Sequence, residues 1–413
     1  MFRTVSIRQQ AEQRSRGPRI LIVGAGIAGV TVATLLRRAG HTPVLVERGH
    51  DRGHPGYMLA LMPMVDPVLD DLGVRDAYRT ASVPLSRYGL YGHTGRRLRI
   101  DSMAAVLDQY GDYRGISRGA LLEVLTRDGC EVTPGTTVTA LTETPDEVRV
   151  TLATPDGPAD LDFDLVIVCD GLHSTTRDLI RPRLAVQTVD THWAGWVAWA
   201  PSDQEPDLGE ELWGAGFFLG VYPVADRFGA ILGGPVDDLQ AGPAAFTASV
   251  RRRLGTVSPR MDRVLDAIAT DPSPYYWPLT DCRAERWATG RTVLLGDAGA
   301  GFLPTAGIGA GMAMESAWVL ARMIIDGRQL AVPDLLSRYE SAQRPRVEAA
   351  QDNSRVLARM MFRRSRLLAV VRDVAARLVS VQAVLKPIQR LLATAPDPVR
   401  ALRENPSATV RGR

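Results

Sequence analysis

Residues 19–29 read RILIVGAGIAG, and the architecture of the chain can be predicted from this segment outward. The apolar, β-branched run at its start predicts a buried strand, and the G-x-G-x-x-G pattern leads directly into a helical stretch at 30–38. A second apolar strand at 43–46 ends in Glu47 and Arg48. Strand, glycine turn, helix, strand and acid in this order predict a βαβ unit that binds a dinucleotide.

The three glycines of this turn have different expected roles. Gly24 permits the tight turn, Gly26 lets a pyrophosphate approach the backbone, and Gly29 lets the helix pack against the strand. The helix N-terminus offers free N–H groups to the phosphates, and Glu47 is placed to bind ribose hydroxyls. These residues are therefore candidate cofactor ligands.

Two later segments also place an acidic residue after a buried-type strand. The strand predicted at 161–168 leads into Asp170 within CDGLHSTTR, and the strand that starts at Arg291 leads into Asp297 within GDA. Pro304 and the pattern GIG at 307–309 follow, before another predicted helix. Either Asp alone would suggest a turn or a helix cap.

The set of three elements resembles the para-hydroxybenzoate hydroxylase family of class A flavoprotein monooxygenases. The similarity extends from about residue 19 to 355 and includes ISRGALL at 116–122 and YESAQRPR at 339–346. The resemblance implies non-covalently bound FAD, with contacts from Gly24, Gly26, Gly29, Glu47, Arg48, Arg118, Asp170, Asp297, Pro304, Gly307 and Gly309.

The family's pattern also implies individual roles. Asp297 would accept hydrogen bonds from the ribityl chain, and the amides at 307–311 would face the isoalloxazine. Asp170 would serve the pyrophosphate region, and Arg118 would pair with phosphate or ribityl oxygens. The chain departs from the family at three positions: Ala300 where a His is common, and Ile308 and Gly311 where Gln and Asn are frequent.

The implied reaction is oxygen insertion. NADH or NADPH reduces FAD, O2 adds to the flavin, and the resulting flavin hydroperoxide hydroxylates or epoxidises a bulky organic molecule, aromatic or polyketide-like, as in secondary metabolism or antibiotic biosynthesis. The chain has no second G-x-G-x-x-G unit for a nicotinamide, so NAD(P)H is expected to bind transiently near Asp170 and Arg177. Flavin reduction should then wait for substrate.

Other functions stay open at this point. A flavin reductase or dehydrogenase of the same fold is one alternative, and a non-redox enzyme or ligand-binding protein with FAD as a structural element is another. A flavin-dependent halogenase needs a lysine near the flavin, and the only lysine here is Lys386 in the C-terminal region. That alternative is therefore disfavoured.

The substrate region is expected between the flavin elements. THWAGWVAW at 191–199 alternates aromatic and small residues with the period of a strand, and further strand-like runs follow at 216–224 and 228–233. With 88–100 they predict a mostly antiparallel sheet over the flavin. We expect one face of this sheet to line a cavity, with substrate contacts from Trp196, Phe218 and Tyr222 and with His192 orienting a phenol or ketone.

These elements predict an α/β fold with a Rossmann-like FAD-binding domain, an inserted, mostly antiparallel substrate domain and a helical C-terminus. The expected FAD-binding domain is discontinuous, with 80–100 contributing to the substrate sheet. The expected divisions are a flexible tail at 1–18, an FAD-binding domain at 19–185 and 284–355, a substrate-binding domain at 186–283, and a C-terminal helical segment and tail at 356–413.

The composition mainly argues against certain partners, metal sites and membrane-spanning segments. The formal net charge of +3 implies no strong electrostatic field for a nucleic-acid or membrane partner. Three widely separated cysteines and six histidines without metal-ligand spacing predict no metal site, and a reducing cytoplasm is the simplest setting. The chain starts without the apolar core of a signal peptide and has no run long enough for a transmembrane segment.

The region 355–393 has Leu, Val and Ile at three- and four-residue intervals with many arginines, which predicts a basic amphipathic helix that Pro387 bends or ends. We favour packing on its own domain, at the substrate entrance. Contact with a membrane or a partner is the alternative. Residues 394–413 are expected to be a frayed tail.

Overall fold

The computed structural model describes residues 1–13, 17–50, 56–180 and 184–404. Its strands are β1 Phe2–Thr4, β2 Ile20–Val23, β3 Val44–Val46, β4 Met58–Leu61, β5 Val83–Pro84, β6 Arg87–Tyr91, β7 Arg97–Ser102, β8 Arg114–Ser117, β9 Cys130–Val132, β10 Thr137–Glu143, β11 Val148–Thr154, β12 Gly157–Phe163, β13 Leu165–Val168, β14 Val186–Pro201, β15 Leu208–Trp213, β16 Phe218–Val224, β17 Arg227–Pro235, β18 Tyr275–Ala284, β19 Ala288–Thr289, β20 Thr292–Leu294 and β21 Ala300–Gly301.

Its helices are α1 Ile7–Ala11, α2 Ile27–Arg38, α3 Asp66–Asp71, α4 Arg75–Ala81, α5 Ala104–Leu107, α6 Arg118–Leu125, α7 Thr175–Leu179, α8 Val236–Leu239, α9 Pro243–Arg253, α10 Pro259–Thr270, α11 Gly309–Asp326, α12 Val332–Met361, α13 Arg366–Leu378, α14 Val381–Ala393 and α15 Pro398–Arg403. None of the described helices is both long enough and apolar enough to cross a membrane.

A five-stranded sheet in the order β19-β20-β13-β2-β3 forms the centre of the main core. The last four strands pair in parallel, and every residue of β2, β3, β13 and β20 is buried. Continuous apolar runs are typical of parallel strands covered on both faces. Helices α2 and α11 pack against each other and against this sheet within one hydrophobic cluster.

A second, eight-stranded sheet has the order β21-β18-β14-β17-β16-β15-β6-β7. All its neighbours are antiparallel except β15 and β6, which pair in parallel. Helices α9 and α10 cover one face, where Phe246, Met261 and Leu265 are buried against it. The predicted α/β architecture with a mostly antiparallel second sheet and a helical C-terminus is therefore confirmed.

The expectation of a loose N-terminal tail is wrong for residues 2–11. β1 extends the fold by parallel pairing with β9, and α1 begins with a capping box between Ser6 and Gln9. The Gln10 side chain is buried and lies along the edge strand β3: its amide nitrogen donates to the Leu45 carbonyl at 3.1 Å, and its oxygen accepts from the Leu45 amide at 3.0 Å. Residues 14–16 of the predicted tail lie outside the described residues.

The C-terminal region also differs from the prediction. Pro387 lies inside α14 and does not end it, so a bend at this residue stays a prediction; the helical region is divided before α13 and before α14. Ser365 and Ser380 cap the two helices by accepting hydrogen bonds from backbone amides three residues later. Residues 398–403 are not a frayed tail: they form α15, which packs on α11 and α12. Residues 405–413 lie outside the described residues.

Replacing Gln10 tests whether its hydrogen bonds to Leu45 attach the N-terminal helix α1 to the folded protein. Gln10→Ala leaves the Leu45 amide on the edge of β3 without its buried acceptor, which should lower the free energy of unfolding by about 1–3 kcal/mol in urea titrations. Arg8→Ala, an exposed position on the same helix, is the control and should have little effect. Equal stability of both variants would mean that α1 is not part of the folded unit.

Candidate active site

The glycine turn lies between β2 and α2 as the sequence predicts. Gly24 has φ 103° in a region that favours glycine, and a Cβ on Gly29 would lie 1.9 Å from the Gly24 carbonyl oxygen. Gly26 differs: its φ is −75°, and no heavy atom lies within 4 Å of an added Cβ. It is the N-cap of α2, with no side chain bonded to the helix N-terminus. This open cradle of backbone amides fits a pyrophosphate.

Glu47 fixes the turn from the neighbouring strand end. One of its carboxylate oxygens accepts a hydrogen bond from the Ala25 amide at 2.8 Å, and the other accepts from the Gly49 amide at 2.8 Å. Arg48 is exposed. The carboxylate therefore holds the glycine turn against β3. Contact of Glu47 with a ribose and of Arg48 with the cofactor stays a prediction.

The segment after β13 is held by its own polar side chains. Asp170 accepts a hydrogen bond from the Thr176 amide at 3.1 Å, whereas its second carboxylate oxygen is buried without a partner among the described residues. Arg177 is 8% exposed and donates to the Ala298 carbonyl at 2.8 Å and the Leu172 carbonyl at 3.0 Å. These bonds hold the Arg177 side chain inside the protein, and transient binding of NAD(P)H at the surface near Asp170 and Arg177 stays a prediction.

Asp297 is the middle residue of the 3-10 turn Gly296–Ala298, and it lines a large cavity that is partly open to solvent. The surrounding protein desolvates the carboxylate and raises its pKa to about 6. The folded, flavin-free protein therefore binds this proton more tightly than the unfolded chain does. Above about pH 6 the ionised group can accept hydrogen bonds from ribityl hydroxyls.

The turn that leads into α11 completes this side of the cavity. Pro304, Gly307 and Gly309 line it, and Gly307 has φ 59°. Ile308 lines the cavity where the family often has Gln, while Gly311 lies outside the lining, against Met64. This wall is consequently apolar at Ile308.

Arg118 and Tyr57 lie together on the cavity wall. The Arg118 amide donates to the Tyr57 carbonyl at 2.9 Å, and both side chains line the cavity. Burial raises the pKa of Tyr57 to about 12, with the nearby Asp297 charge adding to the shift. The Tyr57 ring contacts that of Trp277 with centroids 4.7 Å apart. The sequence prediction included Arg118 and missed both aromatic residues.

One continuous cavity of about 770 Å³ connects these cofactor elements with the second sheet. Of the predicted cofactor residues, its lining includes Gly26, Arg118, Asp297, Pro304, Gly307 and Gly309, whereas Gly24, Gly29, Glu47, Arg48 and Asp170 lie outside the lining. On the sheet side, the lining includes Tyr88, Trp213, Phe218, Tyr222 and Ile231. A cofactor and an aromatic substrate can therefore share one space, which is partly open to solvent.

Glu211 is a buried acid on the sheet side of this cavity, and the sequence prediction did not include it. Its carboxylate accepts hydrogen bonds from Tyr88 Oη at 2.7 Å, from Trp213 Nε1 at 2.7 Å and from Tyr222 Oη. Burial raises the pKa values of Tyr88 and Tyr222 well above the usual range, so both hydroxyls keep their protons. The pattern GEELW, two acids within an apolar strand, was the available signal.

Two predicted substrate residues lie elsewhere. Trp196 is on the helix-covered face, where its ring contacts that of Tyr276 with centroids 4.8 Å apart. His192 occupies a bulge in β14 with φ 54°, and its side chain is 86% exposed. The bulge interrupts the alternation that the sequence suggested, so the roles expected for both residues are wrong. Phe218 and Tyr222 do line the cavity.

The chain is similar to known flavoproteins over most of its length. Residues 18–354 match the family described as an FAD binding domain. A 3-amino-4-hydroxybenzoate 2-monooxygenase of Streptomyces platensis is 31% identical over 365 residues, which cover 82% of this chain and 87% of that protein. The 2-heptyl-3-hydroxy-4(1H)-quinolone synthase of Pseudomonas aeruginosa is 29% identical over 330 residues, which cover 74% and 80%.

Solved structures give the same fold. HpxO of Klebsiella pneumoniae, crystallised with FAD and uric acid, aligns with a TM-score of 0.78 at 24% identity. The alignment covers 92% of this chain and 97% of that one. The described residues thus share the overall architecture of that enzyme.

Gly26→Val tests the cradle. The added side chain meets no protein atom at its Cβ, so the variant should fold normally, but it occupies the space of the pyrophosphate. We expect FAD affinity to fall by about 100-fold or more, equivalent to roughly 3 kcal/mol, in fluorescence titrations of flavin-stripped protein.

Two control variants sharpen this test. Gly255→Val, where the added Cβ would make an ordinary contact with the Thr94 carbonyl oxygen at 3.7 Å, should retain FAD. Gly29→Ala should lower the melting temperature because its Cβ would collide with the Gly24 carbonyl. Normal FAD occupancy in Gly26→Val would show that the cofactor does not approach this turn.

Proposed function

Because the chain belongs to the FAD-binding-domain family of flavin-dependent monooxygenases, we propose that it inserts one atom of O2 into a small aromatic or fused heteroaromatic molecule, with NADH or NADPH as reductant. The observation that carries this proposal is the single cavity that joins Gly26 and Asp297 to the aromatic wall of the second sheet. Bound FAD supplies the redox and oxygen-activating chemistry. The protein must bind, orient and enclose the substrate.

The cofactor side of the cavity has the donors and acceptors that FAD requires. The α2 N-terminus at Gly26 would bind the pyrophosphate, Asp297 would accept hydrogen bonds from the ribityl chain, and Arg118 would pair with phosphate or ribityl oxygens. The backbone around Gly307 and Gly309 would face the flavin ring. None of these contacts needs a covalent bond to the protein.

The sheet side is suited to a flat substrate with hydrogen-bond donors. Tyr88 and Tyr222 each donate their only hydroxyl proton to Glu211, so their oxygens can offer only lone pairs to the cavity. A phenolic O–H or a ring N–H would be stabilised there, whereas a substrate carboxylate would meet the Glu211 charge. Donation to these oxygens would raise electron density in the substrate ring.

The hydrogen-bond acceptors and the negative charge on this side of the cavity favour one class of substrate among those that the relatives' names suggest. A quinolone offers a ring N–H without a carboxylate, whereas an aminohydroxybenzoate carries one. We therefore propose a phenolic or N–H heteroaromatic substrate without a carboxylate at the Glu211 wall. The remaining lining, including Phe218 and Ile231, is apolar and suits a bulky ring system.

Oxygen insertion can be tested with the FAD-loaded protein, NADH or NADPH, and 18O2, using a 4(1H)-quinolone and 3-amino-4-hydroxybenzoate as probes. We expect uptake of O2 and a product that gains one labelled oxygen atom, with the quinolone preferred. A reduced or dehydrogenated product would support the reductase or dehydrogenase alternative. An isomeric product would support a structural role for FAD.

Glu211→Gln tests whether Glu211 and the tyrosines bonded to it, Tyr88 and Tyr222, accept hydrogen bonds from the substrate. The amide has one acceptor oxygen for three donors and adds a donor of its own, so kcat/KM for the quinolone should fall by about 10–100-fold. The matched control is Glu210→Gln: Glu210 is also buried and bonded to a tyrosine, Tyr91 at 2.6 Å, but it lies outside the cavity lining.

The discriminating result is the difference between the two variants. If both lose activity in proportion to a loss of melting temperature, the role of Glu211 is structural. If Glu211→Gln keeps its thermal stability, its FAD and its activity, the proposed contact between Glu211's tyrosine partners and the substrate is wrong.

A further inference from the structure

Helix α13 presents its apolar side to solvent. Leu367, Val370, Val371, Val374 and Leu378 recur at helical spacing, and their exposed fractions range from 45% at Val370 to 82% at Leu378. A surface helix of a water-soluble protein normally turns such a stripe towards the core. The exposed stripe therefore calls for a physical explanation.

The polar side of α13 faces inward and fixes this orientation. Arg372 is buried and donates to the carbonyls of Trp213 and Gly214 in the second sheet. Asp373 is buried and accepts hydrogen bonds from the amide and Nδ1 of His93 at 2.8 and 2.6 Å. Rotating the helix to bury its apolar stripe would break all of these bonds. The outward apolar face is therefore built into the fold.

The same region is strongly basic. From residue 359 to 390 the sequence contains eight basic residues and one acidic residue, Asp373, which is buried. The exposed basic residues of this segment are Arg359, Arg363, Arg364, Arg366, Arg377, Lys386 and Arg390. Exposed apolar side chains bordered by cations are the pattern of helices that lie in the interface of an anionic membrane.

We propose that α13 and the adjoining start of α14 form a docking surface for an anionic phospholipid membrane. The apolar stripe would enter the headgroup boundary, and the arginines would contact lipid phosphates. A second copy of the chain fits this surface poorly, because two-fold pairing would bring the exposed arginines of 359–390 against one another, and Asp373, the one acid of this segment, is buried. Since no described helix can cross a membrane, the contact is interfacial.

The docking surface borders the cavity. Leu368, Val371, Val379 and Val384 belong to this helical region and also line the cavity. A membrane at α13 would therefore lie beside the substrate chamber, and an apolar substrate would have a short path from the lipid phase. The docking itself does not depend on the reaction proposed above.

Vesicle flotation with the full FAD-loaded chain measures docking directly. The probes are vesicles of phosphatidylcholine containing phosphatidylglycerol and vesicles of phosphatidylcholine alone. We expect the protein to float with the anionic vesicles and to bind the neutral ones at least about tenfold less, with high salt reducing the difference. Absence of binding to both would overturn the proposal.

Matched variants distinguish binding through this surface from nonspecific binding of exposed apolar side chains to vesicles. Leu367→Gln with Leu378→Gln alters two exposed side chains outside the cavity lining, and Arg366→Gln with Arg377→Gln removes two charges. Each pair should weaken anionic-vesicle binding by about tenfold. Leu179→Gln with Val399→Gln changes two exposed apolar residues elsewhere and should bind as the unmodified chain does.

Sedimentation without vesicles tests whether a second copy of the chain, and not a membrane, binds this surface. A dimer that dissociates in the Leu367→Gln, Leu378→Gln variant would assign this face to a second copy and overturn membrane docking. Unchanged vesicle binding in both surface variants would overturn it as well. A monomeric protein whose flotation is lost in both variants, with the control pair unaffected, supports the proposal.

Discussion

Parallel pairing of β13 with β2 on one side and β20 on the other is the constraint on which the site depends. The register aligns Val23, Val168 and Leu294 at the ends of the three strands. Their carboxyl ends therefore meet at one edge of the sheet, where the glycine turn, the Asp170 segment and the Asp297 turn emerge together. Ligands of open α/β sheets bind at this edge for the same geometric reason.

Two close contacts keep this edge fixed. Gly29 packs against the Gly24 carbonyl, which holds α2 on its strand, and Arg177 bonds the segment after β13 to the turn that carries Asp297. Neither residue lines the cavity, yet both determine where lining residues such as Gly26 and Asp297 stand. Residues shared with a family pattern can thus serve the site by positioning backbone as well as by touching the cofactor.

The two faces of the second sheet have different roles: one packs in the hydrophobic core, and the other lines the cavity. Helices α9 and α10 bury one face, while the other encloses the cavity with Trp213, Phe218 and Tyr222. The acids of β15 follow this division: Glu210 bonds Tyr91 away from the cavity lining, and Glu211 bonds two tyrosines and an indole on it. The C-terminal helix α13 then anchors to the same sheet through Arg372 and Asp373.

The sequence alone was enough to predict the FAD cofactor, the enzyme class and the α/β fold, and the family match and the structure confirm these predictions. This was possible because the glycine turn and the two strand-end acids depend on local spacing that is visible along the chain. The faces of the second sheet depended on tertiary structure. A bulge at His192 shifts the alternation of β14, and Trp196 turned to the helices instead of the cavity.

The burial of the chain ends and the position of Glu211 also could not be predicted from local sequence patterns. Gln10 is buried by its bonds to Leu45, and α13 is oriented by its bonds to Trp213 and His93, partners that are far away in sequence. Tyr88 meets Glu211 only because β6 pairs with β15 across 123 residues. Local patterns specify which segments form strands and helices, whereas contacts between distant segments decide which side chains face the site.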